Sequence, residues 1–274
     1  MASSNSGVIA FIGGGNMASA IIGGLLRQGM AARDLEVVEP WDEARARLRS
    51  QFGIDAREAA DAALERAELV LWAVKPQTFR DAAQACAHHV RCALHLSVAA
   101  GIRTDSIANW LGTQRIVRSM PNTPALVGKG ITGLFARPGV SAGDKQWAEK
   151  VTATTGDFLW VDAESDLDAV TAISASGPAY VFFFLEAMTQ AGVEMGLSRE
   201  QAYRLAVGTF AGSSELARAS QEPPEVLRQR VTSKGGTTHA AITSMEQDQV
   251  KAAFVRALHA ARQRASELGD EFGR

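Results

Sequence analysis

The feature that most constrains this chain is a glycine turn set between a strand-like run and a helix-like run near its start. Val8 to Ile12 is apolar, Gly13-Gly14-Gly15 ends it, and Asn16 to Gln28 follows with Met17, Ile21, Ile22, Leu25 and Leu26 at helical spacing. The segment Gly13-Gly14-Gly15-Asn16-Met17-Ala18 fits G-x-G-x-x-A. Between a strand and a helix that pattern predicts a dinucleotide-binding turn: Gly13 for the tight reversal, Gly15 for close backbone approach to a pyrophosphate, Ala18 for helix-to-strand packing. Asn16 and Met17 open the helix, whose free N–H groups and positive end favour phosphate.

The rest of the first half repeats the alternation. Strands are expected at Leu35 to Val38, Leu69 to Val74, Leu94 to Val98, Ile116 to Val117, Ile131 to Phe135 and Phe158 to Val161, with helices at Asp42 to Phe52 and from Pro76. This order predicts an α/β Rossmann domain, a doubly wound, mostly parallel sheet with helices on both faces, over residues 1–162. Glu39, about 20 residues beyond Ala18, stands where an acid would accept hydrogen bonds from the adenosine ribose and repel a 2′-phosphate. Arg45 and Arg47 follow closely and suit a phosphate, so NADPH and NADH both remain open as cofactor.

After about Asp162 the β-branched runs stop, and residues 163–274 read as an all-α domain. Tyr180 to Leu185 is apolar nearly all round, which predicts burial on every side. Ala202, Leu205, Ala206, Phe210 and Leu216 form one stripe, and Val250, Phe254, Leu258 and Ala261 another. So much apolar helix surface suits an oligomer interface or a self-contained bundle.

Composition closes off other classes. With 28 Lys+Arg against 30 Asp+Glu the net charge is −2, which gives no basic excess for nucleic acid or an anionic bilayer. No stretch approaches ~18 consecutive apolar residues, and Met1 to Gly7 has neither a basic residue nor an apolar h-region. The expectation is a cytoplasmic protein with a small-molecule substrate. Cys86 and Cys92 lack finger-like partners, and His88, His89, His95, His239 and His259 show no HExxH pattern, so no metal is expected. Adjacent His88 and His89 should face different sides of a helix. No GxSxG surrounds any serine.

Six segments in order then resemble one family, pyrroline-5-carboxylate reductase: Phe11 to Ala18, Ala73-Val74-Lys75-Pro76-Gln77, Ser97 to Ile102, Arg118 to Ala125 with its Met-Pro-Asn-Thr-Pro core, Ser174 to Val181, and Val231 to Thr238 with Gly-Gly-Thr-Thr. The resemblance implies a Rossmann domain, a helical dimerisation domain forming a homodimer or a higher homo-oligomer such as a decamer, and NAD(P)H-dependent reduction of a cyclic imine to L-proline, the last step of proline biosynthesis.

Each segment also has a physical reading. Ala73, Val74, Lys75 and Pro76 end a parallel strand, where open α/β sheets bind ligands. Ala99, Ala100 and Gly101 are small enough to leave room for a nicotinamide ring, and the Asn122 amide sits in a proline-stiffened loop beside the cofactor edge. Ser233, Gly235, Gly236, Thr237 and Thr238 lead into a helix and suit a carboxylate. In the implied mechanism the carboxylate rests on the amides of Gly236, Thr237 and Thr238, and solvent or the Thr238 hydroxyl protonates the imine. By the resemblance, Ser176 is a second wall of the pocket, and Glu164 approaches the ring nitrogen.

The chain departs from the family pattern at several positions. Ala175 replaces a usual glycine, Lys234 a common proline, and Ala60 a frequent asparagine, while Gln221 and Gln229 stand for acids. The rival readings are another two-domain reductase, such as a 3-hydroxyacid dehydrogenase or an imine reductase, and a cofactor-binding module without catalysis. The first would need a catalytic lysine where the chain has Ser176-Gly177-Pro178.

Overall fold

The computed structural model describes residues 7–273; the N-terminal reading of Met1 to Ser6 lies outside them. The described residues form two compact units, 7–176 with 261–273, and 177–260. This division does not coincide with the sequence boundary at Asp162: the loop and first helical turns after the last strand stay with the sheet, and the chain's end returns to it.

The first unit is built on a seven-stranded sheet in the order β2-β1-β3-β4-β5-β6-β7. Its strands are β1 (Val8–Ile12), β2 (Leu35–Val38), β3 (Ala67–Trp72), β4 (Leu94–Ser97), β5 (Ile116–Met120), β6 (Gly130–Ala136) and β7 (Gly156–Trp160). Between them run α1 (Asn16–Arg27), α2 (Asp42–Phe52), α3 (Pro76–Cys86), α4 (Thr104–Leu111) and α5 (Ala142–Ala153). Every pairing is parallel except β5 with β6. That exception follows from the connection: Asn122 to Lys129 is a 3-10 turn, too short for a helical crossover, so β6 returns antiparallel.

Burial on both faces explains the near-continuous apolar strands. Along β1, Ile9 and Phe11 join the core on one face with Ile22, Leu69 and Leu71, while Ala10 and Ile12 join the other with Val70, Trp72 and Phe79. His95 belongs to this interior: it is fully buried, its Nδ1 accepts from Trp72 Nε1 at 3.1 Å, and burial pushes its pKa down to about 4. The other histidine expectation is corrected. His88 and His89 lie in the turn after α3, with ring centroids 3.7 Å apart, because the helix stops at Cys86.

Beyond β7 come α6 (Asp166–Val170) and a π turn, Thr171–Ala175, closed by the Ser176 N–H donating to Thr171 O at 2.9 Å. Since Ala175 lies inside this turn, it needs no left-handed backbone, and its departure from glycine carries no strain.

The second unit contains α7 (Gly177–Glu194), α8 (Arg199–Ala219), α9 (Pro224–Arg230), α10 (Thr237–Gln247) and the first half of α11 (Val250–Phe272). α7 and α8 pack closely because a Cβ at Gly192 would stand 2.6 Å from that of Ala202. Tyr180 and Phe184 close on Phe254 edge-on, at centroid distances of 5.6 and 5.8 Å. Burial on every side of Tyr180 to Leu185 does not occur within the chain: Leu185 is buried, but Phe182 and Phe183 are 58% and 66% exposed. The stripe on α8 splits likewise, with Ala202 and Ala206 buried and Leu205 and Leu216 exposed. A helix buried all round needs neighbours all round, and one face of this one has none in the chain. The helical run Asp166–Glu194 is also long and apolar enough, by length and composition alone, to cross a membrane. Counting uninterrupted apolar residues overlooked it because polar residues punctuate the run.

Candidate active site

The carboxyl ends of β1, β2 and β3 meet at the glycine turn, where the sheet's strand order reverses and an open α/β sheet offers its crevice. The turn is fixed from both sides by main-chain bonds, Gly13 N–H to Val38 O and Ala73 N–H to Ile12 O, each 2.8 Å. Gly13 has φ +96°, and a Cβ there would lie 2.7 Å from Ala73 O, so only glycine serves. Gly15 is the opposite case, with nothing within 4 Å of an added Cβ. It is also the N-cap of α1, with no side-chain cap and no acid in the first turn. The first N–H groups of α1 are therefore available beside open space, which fits a dinucleotide pyrophosphate. Asn16 is exposed, Met17 is half-buried against the core, and Ala18 is fully buried.

Ala73 and Val74 follow β3 and are half-buried. Strand pairing stops two residues earlier than expected, at Trp72, and the exposed Lys75 becomes the N-cap of α3, with Pro76 in its first turn. After β4, Ala99 is buried and Ala100 exposed, and Gly101 takes φ +71° beneath Leu268 and Phe272 of α11.

Three predicted side chains have other tasks in the structure. Glu39 is 5% exposed; its Oε2 accepts from Gly14 N at 2.7 Å and its Oε1 from Trp41 N at 2.9 Å. The carboxylate thus points into the glycine turn, away from where a ribose would lie. Asn122 donates from Nδ2 to Ser174 O at 3.2 Å and accepts at Oδ1 from Ile131 N at 3.0 Å, so its amide fastens the loop between β5 and β6. Glu164 Oε1 accepts from Thr104 N at 2.7 Å and from Arg118 Nη1 at 3.1 Å, and its Oε2 accepts from the Thr104 hydroxyl at 2.5 Å. Rather than meeting a ring nitrogen, that carboxylate caps α4 and neutralises Arg118, which is 3% exposed. Burial raises the neighbouring Asp168 carboxyl above its ordinary value, against the opposing charges of Arg118, Arg103 and Arg262. Sequence reasoning missed the roles of Arg118 and Thr104 because both partners lie far from Glu164 in the chain.

In the second unit, Gly235 has φ +79°, and Gly236, the N-cap of α10, has no side-chain cap. The Gly236 N–H already donates to Ser233 O at 3.0 Å, which corrects the expectation that it faces a carboxylate. The amides of Thr237 and Thr238 begin α10 with no acid in its first turn. Ser233, Lys234, Thr237 and Thr238 are exposed.

Comparison with known proteins decides the family. A pyrroline-5-carboxylate reductase of Pseudomonas aeruginosa is 45% identical over 97% of this chain and 98% of its own length. The chain belongs to the pyrroline-5-carboxylate reductase family. The family model for the pyrroline-5-carboxylate reductase dimerisation domain matches residues 164–268, and one described as NADP oxidoreductase, coenzyme F420-dependent, matches residues 8–101. The solved pyrroline-5-carboxylate reductase of Coxiella burnetii is 35% identical, covering 96% of this chain and 99% of its own, with a TM-score of 0.90. That of Plasmodium falciparum, solved with NADP bound, is 27% identical over 96% and 98% of the two chains, with a TM-score of 0.86. The exposed apolar face of α7 thus lies within a dimerisation domain, which accounts for what is missing around Phe182 and Phe183.

Proposed function

We propose that this chain reduces 1-pyrroline-5-carboxylate to L-proline with NADPH or NADH as hydride donor, the last step of proline biosynthesis. Similarity to reductases of that name along nearly the whole chain carries the reading. The uncapped glycine turn supports it from the chemistry of the residues themselves.

The bound dinucleotide supplies the hydride. Gly13 and Gly15 shape the turn, the N–H groups opened by Asn16 and Met17 take the pyrophosphate, and Ala73, Val74, Lys75 and Pro76 border the crevice at the end of β3. Ala99, Ala100 and Gly101 line the approach after β4 with small side chains. For the substrate, Ser233, Gly235 and Gly236 hold the loop, and the amides of Thr237 and Thr238 take the carboxylate. Ser176 borders the pocket. An imine accepts hydride when its nitrogen is protonated, and such groups titrate near neutrality, so Thr238 has only to pass on a proton that solvent can supply. Orientation provides most of the acceleration. The working state is a homodimer or a larger homo-oligomer in the cytoplasm.

The test is the loss of nicotinamide absorbance when the purified protein meets pyrroline-5-carboxylate and either cofactor, with proline identified as product. Cofactor binding by the folded protein without turnover would overturn the reading and favour a non-catalytic module.

A further inference from the structure

The region around Gly14 holds an acid and two arginines that the fold sorts into different roles. Glu39 is buried and engaged by two backbone N–H groups, one from the glycine turn itself and one from Trp41. Its position is further enforced by packing, since a Cβ on Gly14 would lie 2.6 Å from Leu48 Cδ1 and 3.3 Å from Glu39 Oε2. A ribose diol outside the turn could bond this carboxylate only by displacing one of those N–H groups. Such an exchange leaves a buried donor without a partner and is unfavourable.

The cations divide as cleanly. Arg45 lies against main chain, donating to Glu39 O at 2.9 Å and Pro40 O at 2.7 Å, and pairs with Asp42. Arg49 pairs with Asp55 at 2.5 Å. Arg47 is exposed and forms no ion pair among the described residues; its Nη2 reaches Gly14 O at 3.3 Å, which holds the guanidinium on the glycine turn with most of its donors unused. A planar fork so placed matches a phosphate bidentately and has nothing comparable to offer a bare hydroxyl.

We infer that Glu39 positions the glycine turn instead of binding the ribose, and that Arg47 receives the 2′-phosphate and so makes NADPH the preferred cofactor of this chain. The inference rests on the turn holding a dinucleotide. Titration calorimetry with NADPH and with NADH tests it without any turnover.

The native protein should bind NADPH about tenfold or more tightly than NADH, the scale of a charge-assisted contact. Arg47→Gln should remove most of that ratio by weakening NADPH alone, Arg47→Lys should restore part of it, and Arg49→Gln should leave it unchanged. Glu39→Gln should weaken both cofactors by a common factor, because it loosens the turn they share. A native preference for NADH would overturn the inference, as would a ratio unmoved by Arg47→Gln or moved equally by Arg49→Gln, or a Glu39→Gln loss confined to NADH. Failure of the folded protein to bind either dinucleotide would instead sink the reading of the turn.

Discussion

The glycine turn and the loop before α10 are both helix N-termini uncapped by side chains, yet they are built in opposite ways. Around the turn, polar groups are matched within the unit: Glu39 to Gly14 and Trp41, Asn122 to Ser174 and Ile131, Glu164 to Thr104 and Arg118. Around the loop, Ser233, Thr237 and Thr238 are exposed, and α7 of the same unit shows Phe182 and Phe183 to solvent. The first region is complete as a single chain. The second has the surface of a part awaiting a neighbour, as a dimerisation domain should.

The comparison breaks most easily at the apolar face. Replacing Phe182 and Phe183 together by Asp should weaken self-association by about a thousandfold or more, read as a single chain by sedimentation, while the first unit stays folded. Survival of the oligomer would place the interface elsewhere.

A smaller effect is expected inside the first unit. Glu164→Ala strands the buried Arg118 charge and uncaps α4, which should cost about 3 kcal/mol of stability in urea unfolding. A loss of turnover with stability intact would instead return Glu164 to the substrate.

His95 sharpens the contrast through pH. Its folded pKa of about 4 lies below the ordinary 6.5, so the unfolded chain binds a proton across that interval that the folded chain refuses. The associated stability is fully present above about pH 6.5 and is lost as pH falls toward 4, by up to about 3 kcal/mol. His95→Gln should flatten that acid slope, and an unchanged slope would assign it to other groups.

The smallest stability change belongs to the loop. Thr238→Ala should leave unfolding within about 0.5 kcal/mol of the native protein, because the side chain is exposed. Turnover should nonetheless fall about tenfold or more. Unchanged kinetics would remove Thr238 from the mechanism.

The sequence by itself determined the α/β alternation, the glycine turn and the helical second half, because each is written in local periodicity: β1, β2, α1 and α2 all begin where the residue pattern puts them. It also carried the family, through motifs that are contiguous in the chain. Only the tertiary structure decided what the acids do. Glu39, Asn122 and Glu164 are polar residues at plausible positions, and spacing alone does not say whether such a group faces a ligand or a neighbouring backbone N–H. That choice is made by elements brought together from elsewhere in the chain, such as Thr104 and Arg118 around Glu164. Likewise, the all-round apolarity of Tyr180 to Leu185 is local, but whether the chain itself supplies the cover depends on how many helices its own length can place around α7.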